Sequence, residues 1–249
     1  MKMKLFYLTI LLLAVLYTQN VVIITALAHN FSTDDNSTFL TLINMILIEN
    51  RLINQSLSNN SVGAALLYSN YTDNINEIID DILVSEDSLL VDSDQFYNNT
   101  IIATMMANLA DEVLRKYGYA FGIPSNMMIN MNFSAVDNLE KTISKGSGLD
   151  NHSGHIIPEV ENYSSNLKDK SQYYGAVETS TRMIEIYESD LDSADRSLPL
   201  NHSLSILQNS LIQLNENIYN FSAPSKIMEI VHGKVHPSLQ QAFNLTLKR

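Results

Sequence analysis

The sequence predicts an all-α fold: an antiparallel helical bundle, built as one stack or as two packed three-helix units. Three observations carry this prediction. Apolar residues recur at three- and four-residue steps along most of the chain, the period of a helix with one buried face. Only 8 Gly and 5 Pro occur in 249 residues, too few for the tight turns of a sheet protein. Hydrophobic residues make up 45%, enough for a real core.

Residues 1–28 read as an export segment, MKMKLFYLTILLLAVLYTQNVVIITALA. Lys2 and Lys4 form a positive start, residues 5–17 are apolar, and Ala26 and Ala28 are the small residues that a signal peptidase needs. An uncleaved N-terminal membrane anchor is the other reading, because about 20 apolar residues span a bilayer. Thr18-Gln19-Asn20 interrupts the stretch and favours cleavage before His29. Either way the remainder lies outside the cytosol.

The first helical unit spans residues 38–145. Thr38 is placed to cap a helix reaching about residue 57, with Leu42, Ile43, Ile46, Leu47, Ile53 and Leu57 on its apolar face. A second helix over about 61–84 carries Leu66, Leu67, Ile75, Ile78, Ile79, Ile82 and Leu83, and its Gly63-Ala64-Ala65 would admit a close neighbour. A third over about 94–117 buries Phe96, Ile101, Met105, Leu109, Val113 and Leu114. Arg115 and Lys116 suit its negative C-terminal end, and Gly118 supplies the stop. A short helix fits 134–144. Residues 146–163, rich in Gly at their start, read as a linker.

The second unit spans 164–249. Its first helix, about 165–193, presents Tyr174, Val177, Met183, Ile184, Ile186 and Tyr187, with Pro199 in the turn that follows. The next, about 201–219, presents Leu204, Leu207, Leu211, Leu214 and Ile218. A helix over 224–232 should stop at Gly233, and a last one should start at Pro237.

Composition bounds the function. Net charge is −12, which repels phosphate backbones and argues against nucleic acid as a partner while favouring a cation or a basic protein surface. Cysteine is absent, which excludes disulfide scaffolds, thiol catalysis and thiolate metal sites. Membrane contact is expected only through the N-terminal segment. Asn-x-Ser/Thr begins at Asn30, Asn36, Asn54, Asn59, Asn70, Asn98, Asn132, Asn151, Asn162, Asn201, Asn220 and Asn244. About four such sequons would arise by chance from this composition, so the twelve point to N-linked glycans.

No phosphate-cradling glycine loop, nucleophile elbow, H-E-x-x-H or Ca²⁺ loop occurs, so no catalytic residue is assigned. Asp92-Ser93-Asp94 and Asp190-Leu191-Asp192 begin like Ca²⁺ loops but fail at Phe96 and Ala194. The densest candidate is Glu229, His232 and His236. Glu229 and His232 share one helical face, a spacing that can hold iron or copper. Gly233 and Pro237 should turn His236 out of the helix. Lesser candidates are Met127, Met128 and Met131 for copper, His152 and His155 in the linker, and a mature N-terminus at His29.

Within residues 176–242, the run Ile184-Glu185-Ile186-Tyr187-Glu188, the acidic stretch to Asp195 and the helix that follows resemble the helical extracytoplasmic domain of high-affinity iron permeases. Ile186 stands where that family has a small residue, and the permease membrane part is missing. The resemblance implies metal handling outside the cytosol and transfers no catalytic residue. The whole chain is also similar in style to exported helical proteins of unknown role from ammonia-oxidising archaea. The expected function is a non-enzymatic cell-surface binding or interaction module. The alternative is an extracytoplasmic accessory protein for iron or copper.

Overall fold

The computed structural model describes residues 35–85, 98–146, 163–191 and 198–246. Among these the regular structure is helical, with no strand, and the chain forms an all-α bundle. The elements are α1 (Asp35–Ser58), α2 (Val62–Ser85), α3 (Asn99–Ala120), α4 (Ser125–Ile129), α5 (Phe133–Gly146), a 3₁₀ turn (Tyr163–Asn166), α6 (Lys170–Ile186), α7 (Leu198–Tyr219), α8 (Pro224–Ile230) and α9 (His236–Phe243). Phe96, Asp92, Asp94, Ala194, His29, His152 and His155 lie outside the described residues.

α1 starts at Asp35, so Thr38 sits inside its first turn rather than capping it. Its core face is Leu42, Ile48 and Leu52, rotated from the expected stripe, which leaves Leu47 and Leu57 exposed. Asn60 ends the helix in the left-handed conformation (φ 56°), and the Ser61 amide reaches back to Ser56 O at 2.8 Å. α2 then doubles back. It buries Ala65, Tyr68, Ile75 and Ile79, and it forms a small satellite core with Leu42. Gly63 is exposed, with open space where a side chain would stand, so its expected close approach is not made.

α3 is the central element. Asn98 caps it by accepting the Thr100 amide at 2.9 Å. Nearly every side chain from Ile101 to Ala120 is buried, the mark of a helix covered on all sides. Gly118 is not its stop. The helix runs on to Ala120, and Gly122 (φ 74°) takes the left-handed position, with Ile123 N–H bonded to Gly118 O at 2.8 Å. Gly118 serves a different need: a Cβ there would lie 2.7 Å from Met128 Cγ.

The end of α3 is joined to the start of α6 and the end of α7. The amides of Lys168 and Asp169 both donate to Ala120 O. Asp169 caps α6, accepting from the Ser171 and Gln172 amides, so this helix starts five residues later than the sequence suggested. Tyr173, not Tyr174, faces inward. Tyr117 donates to Ser222 O at 2.6 Å and Tyr173 to Ile218 O at 3.2 Å. Phe221, with an unfavourable φ of 52°, lies parallel to Tyr173 at 4.5 Å between ring centres. Phe121 and Tyr163 complete this aromatic end.

α6 continues as a π turn over Tyr187–Leu191. α7 includes Pro199 in its first turn and buries the expected Leu204, Leu207, Leu211, Leu214 and Ile218. α8 passes through a π turn, Val231–Val235, directly into α9. Gly233 therefore does not stop the helix, and Pro237 does not expel His236, whose φ of −59° and ψ of −49° are helical. The wider turn resolves the conflict: His236 N–H bonds to Val231 O, one residue further back than in an α-helix. One buried core draws on both segments read as units, from Ile48 through Tyr117 and Tyr173 to Leu239.

Candidate functional site

The continuous α8–α9 run brings together two of the three residues singled out by spacing. The rings of His232 and His236 lie 5.3 Å apart at a steep angle. The third residue, Glu229, faces outward and pairs with Lys226 at 2.8 Å. His232 Nε2 is 3.0 Å from Met128 O, so this imidazole ties the π turn that follows α8 to α4. His236 is buried, and its Nε2 lies 3.5 Å from Asp111 Oδ1 on α3. Among the described residues, no three His, Asp or Glu side chains converge as a metal-holding group. Of the methionines, Met128 is buried, Met127 half-buried and Met131 exposed. Asp190 is exposed at the end of the α6 π turn.

Asp111 belongs to a larger polar system that periodicity did not single out. α3 carries Asp111, Glu112, Arg115 and Lys116 within two turns, and all but the half-buried Arg115 are buried. Arg115 forms an ion pair with Glu112. Lys116 turns the other way: its Nζ meets Glu49 Oε1 of α1 at 2.5 Å and Glu112 Oε1 at 3.9 Å. Gly175 on α6 makes room for this lysine, since a Cβ there would lie 2.8 Å from Lys116 Cδ. The sequence signal was available in retrospect. Charges paired at i,i+3 and i,i+4 inside an otherwise apolar helix have no solvent face to occupy.

A second network joins α1 to α6 nearer the surface. Arg51 grips Glu185 with two hydrogen bonds of 2.8 Å and reaches Glu178 at 3.3 Å. Arg182 bonds Glu185 at 2.9 Å and Asn44 at 2.9 Å. The Arg51 hydrogen bonds hold the Glu185 carboxyl below its usual range. On the far side, Glu140 of α5 accepts the Ser225 amide and hydroxyl at 2.7 and 2.9 Å, supplying the cap that Ala223 cannot give α8.

Burial acts against the charged form at two neighbouring groups of α3. It pushes the Asp111 carboxyl up to about 7, with Arg115 opposing, and it lowers the Arg115 guanidinium. The arrangement is a line of charged and titratable groups running from Glu49 through Lys116, Glu112, Arg115 and Asp111 to His236 and His232. Its members engage each other and hold helices together.

Comparison with protein-family models, characterised proteins and solved structures finds no match to this chain.

Two outcomes follow from the geometry. Lys116→Met leaves the Glu49 carboxylate buried without its counter-charge and should cost about 3–5 kcal/mol. Adding Glu49→Leu should recover most of that loss, as read by urea unfolding midpoints; a single variant as stable as wild type would contradict the pairing. For Asp111, a raised folded pKa means that the folded state holds the proton more tightly than the unfolded chain. Stability should therefore fall as pH rises from about 4 to about 7, by a few kcal/mol, and level off above. Asp111→Asn should remove this slope from melting temperatures taken across that range.

Proposed function

We propose that this chain is an exported, N-glycosylated helical-bundle protein that acts as a non-enzymatic binding or interaction module at the cell surface. The observation that carries the reading is the pairing of a leader-like segment, 1–28, with twelve sequons. The position of the sequons supports it. Nine of their asparagines fall among the described residues, and Asn54, Asn59, Asn70, Asn98, Asn132, Asn220 and Asn244 are exposed while Asn36 is half-buried. The charged side chains of the core are occupied with one another, so recognition falls to the outer surface, where the overall negative charge suits a cationic partner.

A second reading is an accessory protein for iron or copper. It is supported by the 5.3 Å approach of the His232 and His236 rings and by the likeness of residues 176–242 to an iron-permease domain. Here Glu229 would have to leave Lys226 to serve as a ligand.

Protein isolated from its own cells tests both. The first reading expects recovery from the exterior or membrane fraction, starting at His29 or anchored by residues 1–28, with sugar attached. Recovery from the cytosol with those residues intact and no sugar would refute it. The second expects stoichiometric iron or copper that is lost in His232→Ala, and metal-free protein whose melting temperature ignores added Cu²⁺ or Fe²⁺ would end it.

A further inference from the structure

Folding leaves large apolar side chains in water, and three groups of them surround a sequon. At the α1–α2 turn, Leu57 and Val62 are 51% and 61% exposed on either side of Asn59. On α2, Leu66 and Leu67 are 61% and 37% exposed, four and three residues before Asn70. That spacing puts all three on one helical face. In the turn from α4 to α5, Met131 and Phe133 are 55% and 38% exposed and directly flank Asn132. The asparagines themselves are exposed. Soluble proteins seldom leave apolar patches bare without a use for them.

We infer that N-linked oligosaccharides on Asn59, Asn70 and Asn132 cover these three patches. The inference rests on the exported-glycoprotein reading and adds to it which sequons matter and why. The donor is an oligosaccharide on a lipid pyrophosphate carrier, used by a membrane transferase. The asparagine Nδ2 forms a bond to the anomeric carbon, the bond from that carbon to the pyrophosphate oxygen breaks, and the amide proton passes to a base of the transferase. Local structure survives the reaction. Asn132 uses its Oδ1 to accept the Ala135 amide at 3.2 Å, and the sugar attaches to the other side-chain atom. A bulky hydrophilic glycan rooted within one helical turn of each patch shields it from self-association. Asn36 and Asn244 differ: the first is half-buried, and the neighbours of the second, Phe243 and Leu245, are already partly covered.

Peptide mass mapping of the full chain isolated from its own cells should find sugar on Asn59, Asn70 and Asn132. Ser61→Ala, Thr72→Ala and Ser134→Ala, combined, abolish those three sequons while keeping each asparagine. The combined variant should bind a hydrophobic dye at least about twofold more strongly and self-associate, whereas Thr246→Ala should behave as wild type. Enzymatic removal of the sugars from folded wild-type protein should reproduce the dye response without any mutation. Sugar confined to the other sequons would overturn the inference and leave the exported reading standing. Sugar on these three with no change in dye binding after its removal would refute the covering role. A chain with no sugar at all would overturn both.

Discussion

Helix α3 is covered on every side yet carries two acids and two bases in two consecutive turns, and the rest of the bundle is arranged around that constraint. Charges buried without partners cost several kcal/mol each. Here each one has a facing group, supplied by another helix or by the next turn of α3 itself. Glu49 comes from α1 to Lys116, Arg115 turns back onto Glu112, and His236 comes from α9 to Asp111. Hydrophobic burial supplies the drive to assemble, but it is indifferent to small rotations of one helix against another. Directional polar contacts are not: Lys116 with Glu49 ties the register of α1 against α3, and His236 faces Asp111 where α9 meets α3.

Small residues and wide turns are the accommodations that this register needs. Gly175 gives up a side chain so that the Lys116 stem can pass α6. Gly118 does the same for Met128. The π turn at Val231–Val235 absorbs Pro237 and keeps His236 on the inner face. At the C-terminal end of α3, Phe221 holds a strained left-handed conformation and is stacked on Tyr173, in a cluster tied by two tyrosine hydroxyls to backbone carbonyls. The two devices divide the labour: a charged network through the middle of α3, and an aromatic seal where α3, α6 and α7 converge.

The recognition proposed for this chain falls on a different part of the molecule from the groups that hold the bundle together. The titratable groups that would draw attention in a sequence search, His232 and His236, lie in the structural network, bonded toward Met128 O and facing Asp111. Glu229, the ligand that spacing paired with them, points into solvent beside Lys226. What remains for recognition is an acidic exterior with apolar islands and exposed asparagines. Those are the features on which the proposed reading draws.

Much of the architecture was legible in the residues. The long helical stretches, the breaks near Asn59 and after Tyr219, and the buried stripe of α7 follow from three- and four-residue spacing, because a helix in water must hide one face. Spacing works only for helices with two kinds of neighbour, solvent on one side and protein on the other. α3 has protein on all sides, so its charges looked like surface groups. α1 and α2 keep solvent on more than one side, so Leu47, Leu57 and Leu66 looked like core. Gly233 and Pro237 looked like a break because local propensity favours one, while packing against α3 and α4 holds the helix together through a π turn. The sequence by itself determined that the chain is helical and acidic, because composition and period are local properties. Only the tertiary structure decided which charges are buried, which glycine makes room and where His236 points, because each of those is a contact between residues far apart in the chain.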